Sequence, residues 1–76
     1  MVEAFILIQT EVGRAASAAQ QIRAIGGVAE AADVTGPFDV IARVTADSLE
    51  ALSTLVDTIG AVDGTTRTLT CNVLHL

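Results

Sequence analysis

An α+β fold in the order strand, helix, strand, strand, helix, strand is what this sequence predicts, and three features predict it. Four segments rich in β-branched residues alternate with two whose apolar residues recur at helical spacing. Gly26-Gly27, Gly36-Pro37 and Asp63-Gly64 punctuate the junctions. A length of 76 residues allows one domain and no more.

The first strand is predicted over Val2 to Thr10, where Phe5, Ile6, Leu7 and Ile8 run together without polar interruption, as in a central strand covered on both faces. A helix follows over residues 14–25, RAASAAQQIRAI, with Ala15, Ala18, Ala19, Ile22 and Ile25 on one side and Arg14, Ser17, Gln20 and Gln21 largely on the other. Gly26-Gly27 stops it. Val28 to Thr35 and Phe38 to Thr45 form the second and third strands, antiparallel across a turn at Gly36-Pro37. Asp47 and Glu50 have the spacing of a capping box, and Leu49, Leu52, Val56 and Ile59 trace the apolar stripe of a second helix that ends at Gly60. After the Asp63-Gly64 turn, Thr66 to Leu74 is predicted as the fourth strand.

This order is that of the ferredoxin-like split βαβ fold: a four-stranded antiparallel sheet with both helices on one face, reached through right-handed crossovers. The other face is then open, yet it is not polar. Phe5 and Leu7 lie on one side of the first strand, and Val2, Ala4, Ile6 and Ile8 on the other. In the third strand Phe38, Val40, Ala42 and Val44 share a side, with Ile41 on the mixed one. A chain of this size folded alone buries only about 60% of the surface that its unfolded form exposes. With 51% of its residues hydrophobic and 17% charged, it carries more apolar surface than one small core absorbs. Two sheets stacked face to face in a dimer complete the core.

Nine acids face four arginines and no lysine, for a net charge of −5. Duplex binding rests on clustered basic side chains, so no direct contact with nucleic acid is expected. A single cysteine, Cys71, forms no internal disulfide and fits a reducing compartment. MVEAFILIQT has no basic residue and too short an apolar run for a signal peptide or membrane span. A cytoplasmic location without membrane contact is the expectation.

Two short segments carry a resemblance. Val34-Thr35-Gly36-Pro37-Phe38-Asp39-Val40 and Asp63-Gly64-Thr65-Thr66-Arg67-Thr68-Leu69-Thr70, at this separation and within this element order, resemble the Lrp/AsnC effector-binding domain, also called the RAM domain. That family has a V-x-G hairpin closing on Asp after its second strand and a G-V-x-x-T-x-T entry into its fourth. The likeness runs from Met1 to Leu76, with Thr65 in place of the usual valine and Pro37 in place of an acidic or aromatic residue. Full regulators of the family carry a helix-turn-helix domain before this one, so the resemblance implies a single, stand-alone RAM domain over residues 1–76. It also implies dimers assembling into rings such as octamers, and a free amino acid bound between dimers.

The resemblance places the effector at Gly36, Pro37, Phe38 and Asp39, with Thr68 and Thr70 from the matching strand motif. Chemically, a glycine turn lets backbone groups approach a small ligand, Asp39 suits an α-ammonium, and hydroxyls suit a carboxylate. Each feature also has a plain structural reading. Asp39 bonds nearby N–H groups of a tight hairpin, and Thr66, Thr68 and Thr70 are a strand's β-branched residues in cross-strand contact. Cys71 and His75 stand four strand residues apart, about 13 Å, and share no metal. Neither a zinc site nor a nucleophile with its base is within reach, and no phosphate loop is present, so no cofactor and no enzyme activity are expected. Cys71 reads as a small buried or interface hydrophobe and His75 as a solvated terminal residue. Arg43 and Arg67 are placed to pair with Asp33, Asp39 or Glu30, contacts worth little at a surface.

Three functions compete. The first is a non-enzymatic amino-acid sensor and transcription-regulatory module that oligomerises and binds effector between dimers. The second is an interaction module that co-assembles with full-length Lrp/AsnC regulators without a ligand of its own. The third, a small dimeric α/β-barrel enzyme, needs titratable or aromatic groups around a pocket, and this chain has no Trp, no Tyr and one His.

Overall fold

The structure, a computed structural model, describes residues 1–75; Leu76 lies outside the described residues. Its elements are β1 (Val2–Thr10), α1 (Ala15–Arg23), β2 (Val28–Asp33), β3 (Val40–Ala46), α2 (Leu49–Gly60) and β4 (Thr65–Asn72). All pairings are antiparallel and the sheet order is β2-β3-β1-β4, the ferredoxin-like arrangement.

Because β1 is central, its alternate residues decide what each face becomes. Ala4, Ile6 and Ile8 align with Val44, Ala42 and Val40 of β3, and all six are fully buried with Ala19 and Ile22 of α1 and Leu52, Leu55 and Ile59 of α2. The β-branched Ile6, Ile8, Val40 and Val44 favour the pleated strand and fill the space under the helices. Both helices therefore cover one face, as predicted. The other face aligns Phe5 with Arg43 and Cys71, and Leu7 with Ile41 and Leu69. Phe5 keeps 41% and Leu69 45% of its surface exposed.

Several local expectations are corrected. The first helix covers residues 15–23 rather than 14–25: its last turn closes with the Ala24 N–H donating to the Gln21 carbonyl at 3.2 Å and the Ile25 N–H to the Ile22 carbonyl at 3.0 Å, before the glycines. Gly27 has a different task. Its φ of 96° suits glycine, its carbonyl accepts the Thr45 N–H at 2.9 Å, and an added Cβ would stand 3.1 Å from the Thr45 oxygen. The second helix is capped by Ser48, not Asp47: Ser48 is extended, and its hydroxyl accepts the Ala51 N–H at 3.1 Å. Glu50 still lies in the first turn, favourable to the helix dipole. With the helix phased from Ser48, Leu49 is 65% exposed, Leu55 replaces it in the core, and Val56 is half-buried.

The hairpin strands are shorter than predicted, leaving residues 34–39 as loop, and β4 starts at Thr65 and ends at Asn72 rather than Leu74. Phe38 does not join Val40, Ala42 and Val44. The Asp39 N–H donates to the Ile8 carbonyl, although the register partner of Ile8 is Val40, so two consecutive residues face Ile8 and the alternation slips there. The Phe38 ring stands instead beside Arg67, whose strand partner is Gln9.

Candidate functional site

The hairpin loop is fastened to the end of β1. Val34 N–H donates to the Asp39 carbonyl at 2.9 Å, and one carboxylate oxygen of Asp39, Oδ2, accepts the Thr10 N–H at 2.8 Å and the Thr10 hydroxyl at 3.2 Å. The plain turn reading has Asp39 bond N–H groups of its own hairpin; its carboxylate instead reaches Thr10 of β1, 29 positions away. Oδ1 has no partner among the described residues. Gly36, at φ 131°, lets the chain turn, and no atom stands within 4 Å of a Cβ built there. The Gln9 amide donates to the Pro37 carbonyl at 3.4 Å, a long bond. Arg67 holds its guanidinium 6.0 Å from the Phe38 ring centroid.

The six predicted residues do not form one cluster. Gly36, Pro37, Phe38 and Asp39 gather against Gln9 and Thr10. Thr68 aligns with Ile8 and Thr70 with Ile6, which puts both on the helix-covered face with β1 between them and the hairpin. Thr68 is half-buried; Thr70 is exposed and lines a groove of about 290 Å³ between α2 and β4, with Leu49, Leu52, Ser53, Val56, Asp57 and Asn72. The α2 residues of this groove were not found by sequence reasoning, although Ser53 and Asp57, four apart beside an apolar row, are a legible signal.

The charged groups also differ from expectation. Arg43 pairs with Glu3 at 3.4 Å and Glu30 at 3.8 Å, and Arg23 with Asp33 at 3.8 Å. Arg67 has no acid within pairing distance among the described residues. Arg14 and Asp63 tie the start of α1 to the turn before β4; the Asp63 carboxylate, by hydrogen bond first and charge second, raises the Arg14 guanidinium above its ordinary value. Cys71 is exposed on the open face, not buried within the chain. Among the described residues no group of three His, Cys, Asp or Glu is placed to hold a metal ion, and no helix is long and apolar enough to cross a membrane.

Comparison with known proteins matches this arrangement closely. The transcriptional regulator FL11 of Pyrococcus abyssi is 31% identical over 71 residues, 93% of this chain and 47% of the relative. FL11 of Pyrococcus furiosus is 28% identical over 73 residues, 96% of this chain and 48% of the relative. The chain thus spans about half the length of the curated relatives it matches. Among solved structures, TTHA0845 of Thermus thermophilus superposes with a TM-score of 0.93 at 32% identity, covering 100% of this chain and 96% of that one. AsnC of E. coli superposes at 0.88 with 28% identity, covering 99% of this chain and 52% of the regulator. A transcriptional regulator of Neisseria meningitidis, solved as its L-Met complex, shares the fold at 0.85 with 23% identity, covering 97% and 50%. Residues 3–75 match the family described as the Lrp/AsnC ligand binding domain, and the chain belongs to that family.

Proposed function

We propose that this chain is a non-enzymatic, amino-acid-responsive regulatory domain that acts in the cytoplasm as a homo-oligomer. The observation that carries the reading is the family match along residues 3–75, and the open apolar sheet face supports the assembly. Dimers form by stacking the faces that present Phe5, Leu7, Ile41 and Leu69. Effector binds where dimers meet, at the Gly36–Asp39 hairpin with Thr68 and Thr70 contributed across the contact. That a regulator of this fold is solved with L-Met supports an amino acid as the effector class. Ligand shared between dimers shifts the population of assembly states by its differential affinity for them.

The test is a thermal-shift screen of the twenty amino acids paired with light scattering. A ligand at a hundredfold excess over its dissociation constant raises stability by about 2.7 kcal/mol. Asp39→Asn is expected to weaken that ligand by about 1.5–3 kcal/mol, the range for hydrogen bonds to charged groups, without dissolving the dimer. No shift with any amino acid, together with co-purification of a full-length regulator, transfers the assignment to a ligand-free interaction module.

A further inference from the structure

We infer that Asp63-Gly64 is a modification site at which the backbone isomerises to isoaspartate, and that the Arg14 side chain holds the reaction in check. In this reaction the Gly64 backbone nitrogen attacks Cγ of Asp63. A C–N bond forms and the Cγ–O bond breaks, so the carboxyl OH leaves as water with the amide proton and a cyclic imide remains. Water then opens the imide at the former backbone carbonyl. The chain now continues through Cγ, and the α-carboxyl is free. Water is released in one step and consumed in the next, and nothing is oxidised or reduced.

Asp33, Asp39, Asp47 and Asp57 precede Val34, Val40, Ser48 and Thr58; Asp63 alone precedes glycine, which has no side chain to hinder ring closure. The pair lies in the turn between α2 and β4, and the Asp63 side chain is 81% exposed. The Gly64 N–H donates to no backbone carbonyl among the described residues, an uncommon state for a backbone donor. Asp39, by contrast, is fastened to Thr10, and Asp57 sits within α2.

Arg14 spans the site. Its Nη2 donates to Asp63 Oδ2, and its stem lies against Gly64, where an added Cβ would stand 2.9 Å from the Arg14 Cβ and 3.5 Å from Nε. Gly64 is buried although Asp63 is exposed. Ring closure requires the Asp63 carboxyl to turn toward the Gly64 nitrogen, which breaks the bond from Arg14. An exposed ion pair is weak, so it slows that turn without forbidding it. Isomerisation lengthens the backbone by one methylene and displaces the Gly64 carbonyl, which accepts the Glu11 N–H at 2.8 Å. The junction between β1 and β4 is loosened as a result.

Ageing the intact protein in neutral buffer tests the proposal. Isoaspartate is counted by methyl transfer from S-adenosylmethionine with protein isoaspartyl methyltransferase as the probe, and located by peptide mapping. It is expected at Asp63 ahead of Asp47, which is also exposed and precedes a small residue. Asp63→Glu should remove the signal, since its longer side chain closes the ring far more slowly. Arg14→Ala should raise the rate at Asp63 about two- to fivefold, as the loss of an exposed ion pair allows, and Arg14→Gln, which keeps most of the stem, should raise it too. Asp47 reports general unfolding in both variants. A rise confined to Asp63 in either variant supports the restraint by Arg14; absence of a confined rise in both overturns it. Wild-type protein that forms no isoaspartate at Asp63, or forms it faster at Asp47, overturns the site itself.

Discussion

On the helix-covered face of the sheet, Ala4, Ile6, Ile8, Val40, Ala42 and Val44 are wholly buried, and among the described residues no buried one is polar or charged. On the open face, intervening residues of these strands and their neighbours β2 and β4 mix Phe5, Leu7, Ile41 and Leu69 with the Arg43, Glu3 and Glu30 ion pairs. The two faces differ by one residue of register and by purpose. The dry face drives folding, since burial without polar loss is where the hydrophobic gain is largest. The mixed face is apolar enough to associate, while its charges favour a particular orientation of whatever covers it.

The largest effect that this contrast predicts is in the dry face. Ile6→Ala should lower unfolding free energy by about 2–5 kcal/mol, from lost burial and the cavity left under both helices, read by urea denaturation at several protein concentrations. A loss under 1 kcal/mol would mean that the core is looser than its burial indicates. Next comes the open face: Leu69→Asp should reduce the mass measured by light scattering to that of one chain at micromolar concentration, with the far-ultraviolet spectrum retained. Should that variant unfold outright, the separation between a folding face and an associating face fails.

Smaller effects sharpen how the covering helices are set. Ser48→Ala should cost about 1 kcal/mol by removing the cap of α2, whereas Asp47→Ala should stay within about 0.5 kcal/mol, as for a surface substitution. The smallest effect has the opposite sign. The Thr65 hydroxyl is buried without a partner at the point where β1 and β4 shift register. Thr65→Val keeps the shape and removes the unsatisfied group, so it should raise the unfolding free energy measured by urea denaturation, by up to about 1 kcal/mol.

Much of this was legible before any coordinates. The element order follows from local patterns: the β-branched runs, the helical recurrence of Ala18, Ala19 and Ile22, and the glycine-marked junctions all act within a few residues of chain. The family resemblance rested on the same local segments, Val34–Asp39 and Gly64–Thr70, and it holds. The cap of α2 was misplaced because Asp47 and Ser48 are both good capping residues, and only the extended backbone at Ser48 selects between them.

The candidate site was less legible, for a reason of distance. Thr10 and Asp39 are 29 positions apart and meet only because β1 pairs with β3. Sequence alternation puts Phe38 on the same side as Val40, Ala42 and Val44; the doubled residue at Ile8 leaves it beside Arg67 instead. The groove of Asp57 with Thr70 and Asn72 exists only once α2 lies against an edge strand. The elements, the acidic balance and the family can be read along the chain, because these depend on local propensity, composition and short motifs. Which polar groups meet and which remain free is set by the packed fold, because those pairings depend on strand register and helix phase, where one residue of slip moves a side chain to the other face.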